Sequence, residues 1–221
     1  MLDAVTLTLA IVLGLAAQSI AHVEPPRILQ IVREPLKTGR EAEFRVIENE
    51  IARACAALGC AHAYLGIESL TGPKEVWFFN GYASAAEKKQ VAADYARNSA
   101  VMSALERLGK QKASLMETPI EYVAEYRPAS SSGVPWLLGQ GRFLVIVTNG
   151  ASRSAGTVFE AADGTRFAIA GFRTRREADA AIAAAGPGAQ VFAVRPEWSF
   201  PAREWYAFDP EFWRRQAPAS E

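Results

Sequence analysis

One junction occurs twice in this chain and limits what it can fold into. Trp77-Phe78-Phe79-Asn80-Gly81-Tyr82-Ala83-Ser84 aligns without a gap on Phe167-Ala168-Ile169-Ala170-Gly171-Phe172-Arg173-Thr174. Each copy is an apolar strand, then Gly-aromatic-x, then a hydroxyl residue three positions ahead of a glutamate, Glu87 or Glu177. A hydroxyl at that spacing accepts from the backbone N–H of the glutamate, whose carboxylate reaches back to the cap, so a helix starts there. Turn signals, Gly72-Pro73 and Asp163-Gly164, precede both strands. Further upstream, Arg27-Ile28-Leu29-Gln30-Ile31-Val32 is similar to Arg142-Phe143-Leu144-Val145-Ile146-Val147. The chain therefore reads as two related βαβ-type halves.

The halves differ between these landmarks. In the first, Thr38 and Glu41 make a third such box ahead of an amphipathic helix over 40–58, with Phe44, Ile47, Ile51, Cys55 and Leu58 on its apolar stripe. Strands over 61–67 and 119–126 complete a β-α-β-β-α-β order. In the second half that first helix is missing: residues 149–155 join the opening strand to a hairpin over 157–172, followed by a helix over 175–185 and a strand over 190–194. The expected organisation is a first half at 22–127, a Ser/Pro/Gly-containing linker at 128–141, a trimmed second half at 142–208, and a short helix and tail at 209–221 opened by Asp209-Pro210. Trp198, Phe200, Trp205, Tyr206, Phe208, Phe212 and Trp213 crowd the C-terminal region. Rings that dense are expected to fold back over the core.

The N-terminus speaks to location. Residues 4–17 are apolar but for Thr6 and Thr8, and Ser19 and Ala21 supply the small residues of a cleavage site, so 1–21 reads as a signal peptide. Asp3, and the absence of Lys or Arg before Arg27, depart from the usual pattern. An uncleaved membrane anchor is the alternative to an exported, periplasmic or secreted protein without a stable span. Cys55 and Cys60 suit an oxidising compartment, either as a bridge made by a turn at Gly59 or as two buried thiols. Lys and Arg number 24 against 24 Asp and Glu, which argues against nucleic acid as a partner. No CxxC or His-rich spacing suggests a metal site.

A β-α-β-β-α-β unit with this junction after its third strand resembles the dimeric α+β barrel superfamily, which includes antibiotic-biosynthesis-type monooxygenases and haem-degrading enzymes. The resemblance implies an α+β fold of two ferredoxin-like halves, the second lacking its first helix, whose antiparallel sheets face each other around a small barrel. Such an internal pair makes a monomer the expectation and leaves a further homodimer open. Tyr82 stands where monooxygenase-like members often carry a tryptophan. Tyr95-Ala96-Arg97-Asn98 stands where haem-degrading members carry a ligand histidine. No cofactor is predicted, with haem left open in the absence of that histidine.

Alternation along the second strand directs Ala61, Ala63, Leu65 and Ile67 toward the helices and His62, Tyr64 and Glu68 toward the other sheet. With Asn80 and Tyr82, this gives His62, Tyr64, Asn80 and Tyr82 as candidate ligand-binding residues between the sheets. His62 is the candidate catalytic group, since His22, the other histidine, lies at the expected mature N-terminus. There is no P-loop, dinucleotide fingerprint, HExxH or GxSxG. Three functions follow as expectations: binding of a small apolar molecule, a cofactor-independent monooxygenase or isomerase using the same pocket, or a non-catalytic envelope assembly protein.

Overall fold

Two of the three hydroxyl–glutamate pairs cap helices as their spacing predicts. Glu87 N–H donates to Ser84 Oγ at 3.1 Å while Ala83 N–H donates back to the Glu87 carboxylate. Thr174 and Glu177 close the reciprocal box. The third pair does not form. Gly39 takes a left-handed φ of 79°, Arg40 becomes the cap, and no side chain bonds the helix start.

The computed structural model describes residues 24–132, 136, 138–149, 156–186 and 188–214. The expected leader at 1–21 lies outside them, as does part of the expected linker. The first half contains β1 (Ile28–Pro35), α1 (Glu41–Leu58), β2 (Leu65–Ser69), β3 (Glu75–Tyr82), α2 (Ala85–Arg97), α3 (Ser99–Lys112) and β4 (Ile120–Tyr126). The second contains β5 (Phe143–Thr148), β6 (Thr157–Ala161), β7 (Arg166–Phe172), α4 (Arg175–Ala185) and β8 (Ala189–Val194), followed by α5 (Arg203–Phe208) and α6 (Pro210–Trp213). Among these residues no helix is long and apolar enough to cross a membrane.

The eight strands of the described residues form one closed antiparallel barrel in the order β1-β3-β2-β8-β5-β7-β6-β4. Within it β4-β1-β3-β2 and β8-β5-β7-β6 follow the same internal order. The halves join along two seams, with Ile67 opposite Val194 between β2 and β8 and Ala124 opposite Ala161 between β4 and β6. Closure removes edge strands that would otherwise be open to pairing with another chain. The antiparallel strands of the two halves thus enclose a barrel, as one sheet closed on itself.

The strands are buried on both sides. Leu29, Ile31, Leu65, Ile67, Trp77, Phe79, Phe159, Phe167 and Phe192 fill the barrel with 0 % exposure. Outside it, α1 and α3 cover Val76 and Phe78 with Phe44 and Val101, and α4 covers Val145 and Val191 with Ala178. Arg33 forks onto Glu75 and lies 4.6 Å over Trp77, whose Nε1–H donates to Glu75 at 2.6 Å.

The aromatic C-terminal segment folds back, as expected. Trp198 and Trp213 are buried, and Trp213 Nε1–H donates to Gly139 O at 3.1 Å. Asp209 caps α6 by accepting from Phe212 N–H. Gly66 makes room for this segment: a Cβ there would stand 2.7 Å from Trp198 O. At the end of α1, Gly59 turns left-handed at φ 73°, so that Gly59 and Cys60 N–H both donate to Cys55 O, and a Cys55–Cys60 disulfide is formed.

Candidate functional site

With both faces of β2 and β3 buried, alternation does not reveal which side looks inward, and the structure reverses the expected orientation. Leu65, Ile67, Trp77 and Phe79 point into the barrel, while Tyr64 and Phe78 lie beneath the helices. A side chain with no accessible surface has no void beside it large enough for water. The set His62, Tyr64, Asn80 and Tyr82 therefore does not gather between the sheets, where large apolar side chains fill the space.

The four residues fall into two pairs. Tyr64 and Asn80 line a hollow of about 210 Å³ between the outer face of the sheet and the helices, together with Glu48, Phe78, Tyr95 and Lys112. His62 stacks on Tyr82, their ring centroids 4.6 Å apart and planes 7° from parallel. His62 Nε2 is 2.8 Å from Gly81 O, a distance at which it donates. His62 also borders a second hollow of about 560 Å³ at the barrel end where β1 begins and β3 finishes.

The first hollow contains charges that sequence reasoning missed. Lys112 Nζ, from α3, lies 2.8 Å from Glu34 Oε1 on β1 and 2.8 Å from Glu48 Oε1 on α1. Glu48 is buried on the same helix face as Phe44, Ala52 and Cys55. That spacing, a carboxylate four residues from two apolar positions, was the available signal. The Lys112 ammonium also sits over the Phe78 ring at 5.1 Å and the Phe44 ring at 5.7 Å.

Burial pushes Glu48 up to about 7 against the opposing pull of Lys112, with Glu34 adding a further push. Burial likewise raises Glu34 over the attraction of Lys112. Burial alone pulls Lys112 down, yet the charges of Glu48 and Glu34 hold it above its ordinary value. Tyr64 is raised well above an ordinary phenol by burial, then by Glu48 and Tyr95. It therefore keeps its proton, and its buried hydroxyl has no hydrogen-bond partner among the described residues. Tyr95 OH donates to His62 O at 3.5 Å. The hollow thus offers a phenolic donor, a carboxyl group that titrates near neutrality and an amide. It is equipped to hold a small molecule carrying an acceptor and to exchange one proton with it.

Haem does not fit this hollow: about 210 Å³ is below the roughly 300–1,000 Å³ of sites for drug-sized ligands.

No protein-family description matches the chain, and no curated protein matches its sequence. Solved structures do overlap it. A NIPSNAP family protein from Agrobacterium tumefaciens is 20% identical over 49% of this chain and 93% of its own, with a TM-score of 0.38. A proposed monooxygenase from Lactobacillus acidophilus is 8% identical over 86% and 89%, with a TM-score of 0.44. A chlorite dismutase variant from Candidatus Nitrospira defluvii, in complex with cyanide, is 7% identical over 78% and 92%, with a TM-score of 0.41. The chain's own strand order and closure define its architecture.

Proposed function

We propose that the protein binds a small molecule in the open hollow bordered by α1, α3 and the outer face of the first-half strands. The supporting observation is the Tyr64 hydroxyl, buried and without a partner beside Glu48 and Asn80. An unmet buried donor costs roughly 1–3 kcal/mol, and a ligand acceptor recovers it. We read the chain as two ferredoxin-like copies that close one barrel, so a monomer is sufficient for folding. The Cys55–Cys60 bridge and the apolar leader support export.

Benzamide is a suitable probe, with an acceptor for Tyr64 and a donor for Glu48. In an NMR titration of the folded full chain it is expected to shift Tyr64, Asn80 and Tyr95 resonances, and Tyr64→Phe is expected to abolish those shifts. Shifts confined to other residues, or none, would refute the reading. A second reading, favoured by the raised pKa of Glu48, is an isomerase in which that carboxylate takes a proton from the bound molecule and returns it at another atom.

A further inference from the structure

We propose that the hollow at the barrel end is a separate binding site that takes an organic cation, an amine or quaternary ammonium with an apolar body. At about 560 Å³ it falls within the roughly 300–1,000 Å³ typical of small-molecule sites. Among the described residues it shares no lining residue with the hollow beneath the helices.

Two features of its lining agree on the occupant. Trp136, a member of the barrel core, and Trp205 supply aromatic rings. Among the described residues, three carboxylates, Glu24, Glu87 and Glu204, stand around them against the one guanidinium of Arg27. Ring faces attract cations through their quadrupole, and the field of a carboxylate is stronger beside a low-dielectric floor than in open water. A neutral ligand gains only the apolar contact, and an anion meets net repulsion. The site is also preset. Trp205 lies so close to Gly139, itself at φ 76°, that a Cβ on that glycine would fall 2.3 Å from the indole. Because the ring is already placed, little ordering cost falls on binding.

Calorimetric titration of the folded full chain with benzyltrimethylammonium, benzyl alcohol and benzoate tests this. The cation is expected to bind about tenfold more tightly than the alcohol, with benzoate weakest. The double variant Glu24→Gln, Glu204→Gln changes two exposed residues. It is expected to remove most of the cation preference and leave alcohol binding unchanged. Trp205→Ala is expected to weaken both, whereas Tyr64→Phe in the other hollow is expected to alter neither. The proposal is overturned by equal affinity for cation and alcohol, by a preference that survives the double variant, by loss on Tyr64→Phe, or by no binding.

Discussion

The Lys112 ammonium lies 2.8 Å from a Glu48 carboxylate oxygen, joining α3 to α1 beneath the helical layer. The same ammonium reaches Glu34 on β1, so one cation ties two helices to the sheet. Replacing it by Lys112→Met leaves two buried carboxylates without a counter-charge. The expected loss at neutral pH is about 3–5 kcal/mol, measured by urea denaturation, and it shrinks as pH falls and the carboxylates gain protons.

Glu48 gives the fold a pH dependence of defined sign. Its folded value is raised from an ordinary 4.5 to about 7, so the folded state holds this proton more tightly than the unfolded chain. The associated stability is fully present below about pH 4.5 and is lost as pH rises through about 7. The difference in urea midpoint between the wild type and Glu48→Gln is therefore expected to vary across that window and to level off above it. A difference independent of pH would show that the carboxyl is not raised.

The isomerase reading makes a separate demand. A general base at Glu48 is active when ionised, so exchange of the methylene hydrogens of acetylacetone into deuterated solvent is expected to speed up as pH rises through about 7. Glu48→Gln is expected to return the rate to that of buffer. Exchange unaffected by the substitution would leave binding as the function of the hollow.

Packing of the C-terminal segment is tested at Gly66. A Cβ there would meet Trp198 O at 2.7 Å and the Phe78 ring at 3.2 Å, neither free to move far. Gly66→Ala is expected to cost roughly 1–3 kcal/mol and to increase hydrogen exchange at Gly66 N–H, which donates to Ser199 Oγ at 2.9 Å.

The sequence made local features legible and left tertiary ones ambiguous. The Ser84 and Thr174 helix starts and the hairpin ending at Phe172 depend on neighbours within a few residues, and the structure shows all three. The orientation of Tyr64 against Leu65 was misread because both faces of β2 are buried: helices cover one and barrel side chains the other. The strand also starts at Leu65, with Tyr64 instead bridging to Phe200, so the alternation read from Ala61 began outside the strand. Tyr64 and Asn80 line the hollow on the helix side of the sheet and not the barrel interior. Glu48 and Lys112 were passed over because charged residues on amphipathic helices ordinarily face water. Asn98 was a further hidden signal: it divides α2 from α3 by accepting from Val101 N–H and donating to Leu58 O.

Barrel closure within one chain moves any ligand site away from the space between the sheets, so the seam between β4 and β6 is the most direct test. Ala124 and Ala161 face each other across it and are both buried in the barrel. Oxidation of the double variant Ala124→Cys, Ala161→Cys, followed by intact mass and non-reducing electrophoresis, is expected to give an intramolecular bridge in a chain of monomer mass. A bridge formed only between chains, or two thiols that stay free and reactive in the folded protein, would contradict the closed barrel.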